Sequence, residues 1–239
     1  MGIVNGIDPL VWNPAVDPRI PVNYDAESIA RKLENRKDLL KATGMDSSDP
    51  SFVVGIIGRL THQKGFDLLF PVLGDLIGRG VRFVMLGSGE RDLERQVQRF
   101  SNYSNGRFWG YVGFQEDLAH RIEAGVDALL MPSRFEPCGL NQLYSLAYGT
   151  PPIVHRVGGL ADTVEGYNGW NRESATGFTF DAATSGALAD TVLWAQSRYH
   201  DPDLWTRLAL NGMRQDYSWK HSALLYDVAY RRARQNKGL

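Results

Sequence analysis

An α/β fold, a Rossmann-like doubly wound parallel sheet, is what this sequence predicts, and three observations carry it. Short apolar runs bounded by glycine, proline or polar residues alternate with segments of helical period, the pattern of strand–helix–strand units buried on both faces. The loops that leave those runs are rich in glycine and charge, as suits ligand sites beyond the carboxyl ends of parallel strands. The chain has 239 residues, 43% hydrophobic and 22% charged, enough for one large α/β domain or two small ones and ordinary for a soluble globular protein.

Taken in order, residues 2–8 read as a short apolar strand meeting an Asn-Gly turn, a start that resembles the middle of a fold more than its beginning. Residues 8–24 are proline-rich and irregular. Asp25 is placed to cap a helix running through Ile29, Leu33 and Leu39 to Gly44. Strands are predicted over 52–57, 81–86, 108–112, 126–130, 152–155 and 177–180, each short and flanked by punctuation. Helices are predicted over 66–76, 91–100, 116–124, from Leu140 through Ala147, and from the Gly158-Gly159 turn onward. Residues 167–176 read as a polar loop, and three helices (185–199, 202–212 and 218–234) finish the chain.

The formal net charge of −1 provides no global field for nucleic acid or an anionic membrane, so neither partner is expected. Any anion site has to be built locally. Cys138 is the only cysteine, which excludes an internal disulfide and a multi-cysteine metal site and fits a reducing compartment. The five histidines show no metal-ligand spacing, so no metal is expected; His62 and His155 read as loop and strand-end residues. No apolar run approaches the roughly 18 residues of a membrane span, and the first residues do not form a signal peptide.

Four loops sit where a ligand would. In residues 58–65, Arg59 offers a planar fork and Lys64 a point charge, a combination suited to a diphosphate and equally consistent with two surface cations. Gly87-Ser88-Gly89 lacks the full dinucleotide fingerprint and reads as a turn. Residues 131–140 run from a buried strand through two prolines flanking Glu136 to Gly139 and a helix. Glu136 is there either a site acid or a solvated loop acid. Gly158-Gly159 before a helix suits an approaching anion or simply a tight strand-to-helix turn.

Arg59 with Lys64-Gly65, the run Pro132-Ser133-Arg134-Phe135-Glu136-Pro137-Cys138-Gly139-Leu140, and Gly158-Gly159-Leu160-Ala161-Asp162-Thr163-Val164 resemble the glycogen and starch synthases. Asn5-Gly6-Ile7-Asp8, Trp12-Asn13-Pro14 and Tyr217-Ser218-Trp219 extend the resemblance over nearly the whole chain, in order. The resemblance implies one lobe of a two-lobed (GT-B) hexosyltransferase: the C-terminal, donor-binding lobe of an enzyme that transfers glucose from ADP-glucose to the non-reducing end of an α-1,4-glucan with retention. On it, residues 1–24 would come from the interlobe region, 25–217 would form the nucleotide-sugar-binding lobe, and 218–239 would carry a helix crossing back to an N-terminal lobe. That helix's aromatic face (Trp219, Leu225, Tyr226) would be partly exposed. The isolated lobe would be inactive, because the family's N-terminal Gly-Gly loop and acceptor groove are not in this chain.

The same resemblance assigns Arg59 and Lys64 to the departing diphosphate and Glu136 to the donor glucose, as nucleophile or as electrostatic stabiliser. Backbone amides near Leu140 and Gly159 would assist. Phe114 would stack on adenine, the bland alternative being an ordinary core phenylalanine. Cys138, Gly139, Leu140, Asn141, Tyr144, Gly158, Gly159 and Leu160 would line the donor. Tyr144 stands where many related transferases place a ribose-binding acid; the synthases share this tyrosine. Cys138 reads as packing, with no charged neighbour to activate it. No cofactor is implied beyond the donor itself, with ADP as product. The compartment would be a plastid or a bacterial cytoplasm. Competing readings are a non-catalytic ADP or ADP-glucose module and, more remotely, a phosphorylase or nucleotide-sugar epimerase of similar architecture.

Overall fold

A computed structural model describes residues 2–236. Six strands form one parallel sheet: β1 (Val53–Ile57), β2 (Arg82–Gly87), β3 (Phe108–Val112), β4 (Ala128–Met131), β5 (Pro152–His155) and β6 (Phe178–Phe180). Their spatial order is β3-β2-β1-β4-β5-β6. The chain winds outward from β1 to β3, returns to place β4 on the other side of β1, and continues outward to β6. The direction of winding reverses between β1 and β4, and the crevice that opens there, beyond the strand ends, is where such sheets bind ligands.

Period-two alternation sends Val54, Ile56, Phe83 and Met85 to one face of the sheet and Val53, Val84 and Leu86 to the other. The first face is covered by α2 (Phe66–Gly78), α3 (Arg91–Tyr103), α7 (Ser185–Tyr199) and α8 (Pro202–Met213). The second carries α1 (Lys32–Ala42), α4 (Glu116–Gly125) and α6 (Gly158–Thr163). The short α5 (Asn141–Ala147) leads from β4 towards β5 and contacts α8. Helix α1 is fixed to α4 by Lys32, whose ammonium donates to the Glu123 and Ala124 carbonyls (3.0 and 2.9 Å) and to Thr150 Oγ1 (2.6 Å). A cation on the last carbonyls of a helix is well placed for its dipole.

Several expectations shift. Residues 2–8 form no strand; only Ile7 makes a bridge, to Ser218. The Asp25 cap does not open a helix. Asp25 and Ser28 bond each other reciprocally and close a turn, after which a 3-10 turn (Ile29–Arg31) leads into α1. Strand β4 begins at Ala128 because Asp127 turns its carboxylate onto the Val53 amide (2.8 Å) and the Arg36 guanidinium.

Residues 8–24 are irregular, as expected, yet they are built into the fold. The Tyr24 hydroxyl donates to the Tyr148 carbonyl at 2.8 Å, and the buried Asp17 carboxylate accepts from the Tyr148 hydroxyl (2.6 Å) and meets His120 Nδ1 (2.8 Å). Those two partners hold the Asp17 carboxyl below the usual carboxylate range even though burial opposes it.

The last helix, α9 (Trp219–Asn236), rests on the first residues of the chain: Ser222 donates to the Val4 carbonyl at 2.8 Å. Trp219 is half exposed, whereas Leu225 and Tyr226 are partly covered; the more exposed apolar residues are Leu224, Val228 and Tyr230. The partial exposure expected for Trp219, Leu225 and Tyr226 is thus present, and the side bearing Ser222 is held down. Residues 237–239 of the anticipated terminal segment lie outside the described residues.

Candidate active site at the sheet reversal

The loops after β1 and β4 meet at the reversal. The first contains a 3-10 turn (His62–Lys64) and ends at Gly65, which has φ +74° and opens α2. The Pro132 carbonyl passes so close that a Cβ on Gly65 would lie 1.9 Å from its oxygen. Only glycine tolerates both that dihedral and that approach. The contact places the end of one loop on the beginning of the other and brings Lys64 Nζ to 2.5 Å from Glu136 Oε2. The same carboxylate oxygen accepts from Ser133 Oγ at 3.1 Å. Glu136 is nearly buried, its side chain 8% exposed against 20% for Lys64, so it is not a solvated loop acid. Arg59, earlier in the first loop, is exposed and forms no salt bridge among the described residues.

The loop after β5 closes the site from the other side. Gly159 donates its amide to the Glu136 carbonyl at 3.0 Å, and Cβ atoms on Gly158 (φ +45°) and Gly159 would collide with the Glu136 and Cys138 carbonyl oxygens. This corrects one expectation: the Gly159 amide is committed to Glu136 and the Leu160 amide to the Val157 carbonyl. Gly159 and Leu160 are buried and position the Glu136 loop, while Gly158 faces outward.

Helix α5 starts where the Glu136 loop ends. Gly139 has φ +74°, Leu140 is partly exposed, and Asn141 donates its side-chain amide to the Ile57 carbonyl at the end of β1 (2.7 Å). Cys138 Sγ accepts from the Asn5 amide at 3.3 Å and approaches the Gly139 carbonyl, a packing and tethering role with no charged partner. Tyr144 is stacked on Trp12 (centroids 3.7 Å apart, 9° between planes), and Trp12 is stacked on His120 at 3.8 Å. Its ring therefore belongs to an aromatic sandwich with the 8–24 segment, and burial raises its hydroxyl above the usual tyrosine value.

Phe114, just past β3, is 87% exposed, which excludes a core role and leaves a flat apolar face at the carboxyl end of the sheet. It follows a strand two places from β1, roughly 10 Å across the sheet. Between them, Gly87-Ser88-Gly89 lies against the first loop: the Leu60 amide donates to Ser88 (2.9 Å) and the Glu90 amide to Leu60 (2.7 Å). Glu90 also takes the His62 amide and Nδ1, and this contact raises the His62 pKa above its ordinary value. His155 is a strand-end residue, with Nδ1 at 2.8 Å from the Ser133 carbonyl.

The structure thus joins the loop carrying Arg59 and Lys64, the loop running from Glu136 through Cys138, Gly139 and Leu140 to Asn141, and the turn at Gly158, at the carboxyl ends of β1, β4 and β5; Phe114 follows β3 at the same end of the sheet. Ser133, Arg134, Asp67 and Trp12 were given no role from sequence. Ser133 and Arg134 stand inside the Glu136 motif, and Asp67 opens α2 with a charge opposite to Arg134, which was the available signal.

A family model described as glycosyl transferases group 1 matches residues 51–197. A glycogen synthase of Alkalilimnicola ehrlichii is 46% identical over 242 aligned residues, covering 99% of this chain and 50% of the relative. Soluble starch synthase 2-2, chloroplastic/amyloplastic, of Oryza sativa subsp. japonica is 44% identical, covering 95% of this chain and 33% of the relative. Among solved structures, the catalytic domain of starch synthase IV from Arabidopsis thaliana, bound to ADP and acarbose, superposes with a TM-score of 0.91 at 34% identity over 97% of this chain and 48% of that one. The chain spans about half the length of the bacterial relative it matches.

Proposed function

The chain belongs to the group 1 glycosyltransferases and is homologous to the glycogen and starch synthases, and from that premise we propose that it is the donor-binding half of an ADP-glucose-dependent glucan synthase. The carrying observation is the Lys64–Glu136 pair at the sheet reversal, with Arg59 exposed on the same loop. Two cations beyond the strand ends suit a nucleoside diphosphate, and the ADP bound by the starch synthase IV neighbour supports the adenine form. Phe114 then offers its face to the base.

In this reading the bond between glucose C1 and the diphosphate oxygen breaks, and a glucan hydroxyl attacks on the same face of the sugar. Its proton passes to the departing phosphate. Negative charge builds on the diphosphate, and Lys64, already held by Glu136, stabilises it with little reorganisation, joined by the exposed Arg59 of the same loop. Glu136 lies beside the positive charge that develops on the sugar. One of its oxygens already holds both Lys64 and Ser133, an arrangement that favours an electrostatic or hydrogen-bonding role over attack on C1. No further cofactor enters this chemistry. The acceptor, an α-1,4-glucan, is assigned to the half that the relatives possess and this chain does not span. Among the described residues no helix is long and apolar enough to cross a membrane. The rice relative is named chloroplastic/amyloplastic, which supports a plastid as the place of action; for a bacterial source the proposed place is the cytoplasm.

Labelled ADP-glucose with glycogen tests the division of labour. This chain alone binds donor without transferring glucose; measurable transfer would show that the other half is not required. Transfer restored by adding a separately made N-terminal half from a bacterial relative would support it.

A further inference from the structure

We propose that Arg134 and Asp67 form a positioning strut that holds Lys64 in register against Glu136; the inference rests on the donor-site reading above. The Arg134 guanidinium grips Asp67 with a two-pronged contact, Nη1 to Oδ1 at 2.6 Å and Nη2 to Oδ2 at 2.9 Å. The same Nη1 donates to the His62 carbonyl at 2.9 Å. The Arg134 amide donates to the Gln63 carbonyl at 2.9 Å, and Gln63 returns its side-chain amide to the Phe135 carbonyl at 3.1 Å.

These bonds bracket the site charges. Residues 62 and 63 precede Lys64 and Asp67 follows it; residues 134 and 135 precede Glu136. Asp67 stands in the first turn of α2, where the helix dipole favours an acid and the backbone is fixed. One end of the strut is therefore anchored in a helix, and its middle grips the loop that carries Lys64. The pair's side chains are 37% and 29% exposed, so the ion pair itself contributes little to global stability. Its consequence is geometric, and a lysine at position 134 cannot reproduce three directed bonds from one planar group.

The test uses Arg134→Lys and Asp67→Asn in this chain, with two readouts. Hydrogen exchange of the 61–66 amides in the free protein should quicken about tenfold in both variants while the melting temperature stays at the wild-type value. ADP titrated calorimetrically should bind about tenfold more weakly, a loss of about 1.4 kcal/mol. The double variant Lys64→Ala/Asp67→Asn should bind ADP no worse than Lys64→Ala alone, since the strut acts through Lys64. Wild-type exchange rates in both variants would overturn the strut whether or not nucleotide binds. Unchanged ADP affinity, or losses fully additive with Lys64→Ala, would overturn its role in positioning. Wild-type protein that binds no ADP would instead overturn the donor-site reading, and the exchange data would still decide the strut.

Discussion

Lys64 and Glu136, 72 residues apart in sequence, meet with Nζ at 2.5 Å from Oε2. They are neighbours because β1 and β4, whose loops carry them, are adjacent only where the winding reverses. The pair sets up a competition. A diphosphate drawn to Lys64 shares that cation with Glu136 and is repelled by the carboxylate. Glu136→Gln keeps the shape and removes the charge. The expected result is ADP affinity equal to wild type or up to several-fold tighter, with glucose transfer in a complete enzyme reduced by orders of magnitude. Calorimetry and a transfer assay on the same variant check this; full activity would reduce Glu136 to a structural acid.

Gly65 and Gly158 carry the backbone approaches that assemble the site. Each adopts a positive φ, and an added Cβ would fall 1.9 Å from the Pro132 oxygen and 2.2 Å from the Glu136 oxygen respectively. The left-handed conformation alone costs an ordinary residue about 1–2 kcal/mol, and the clash forces the loops apart. Gly65→Ala and Gly158→Ala should each abolish ADP binding while far-ultraviolet circular dichroism remains that of the wild type. Retained binding would mean that the loops can separate without consequence.

The aromatic sandwich gives a stability test. Trp12→Ala removes the ring between His120 and Tyr144 and should cost about 3 kcal/mol in urea unfolding, near the lower end for large-to-small aromatic substitutions. Tyr144→Phe keeps the ring. It should leave both stability and ADP affinity within about twofold, a difference of roughly 0.4 kcal/mol. A large loss of ADP affinity in Tyr144→Phe would instead assign the hydroxyl to the ribose.

Much of this arrangement was legible in the sequence. Alternating apolar runs and helical periods predicted every strand of the sheet to within about two residues, and the motifs marked both loops that meet. The strand order was not legible, because periodicity reports which residues are buried and not which strands are neighbours. Nor was the use of the Gly159 amide, since a free helix end and one bonded to a neighbouring loop look alike in sequence. The stacking of Tyr144 on Trp12 was not legible for a related reason: Trp12 lies in a segment with no periodicity to read. Asp25 resembles a helix cap, but a serine three residues later captured it in a turn.

The His62–Glu90 contact makes the first loop sensitive to pH. Glu90 raises the His62 pKa above the ordinary 6.5. The stabilisation from this pairing is fully present below the unfolded value and is lost as pH rises through the higher folded value. A proton NMR titration of His62 should give a midpoint above 6.5, returning towards it in Glu90→Gln. A wild-type midpoint at or below 6.5 would show that the contact does not persist in solution.

The central claim, that this chain holds a nucleoside diphosphate at the sheet reversal, is tested most directly by titrating ADP calorimetrically into the wild-type chain and into Lys64→Ala. One ADP per chain should bind to the wild type, and the affinity should fall at least tenfold, about 1.4 kcal/mol, in the variant. Absence of binding, or equal binding to both proteins, would contradict the account.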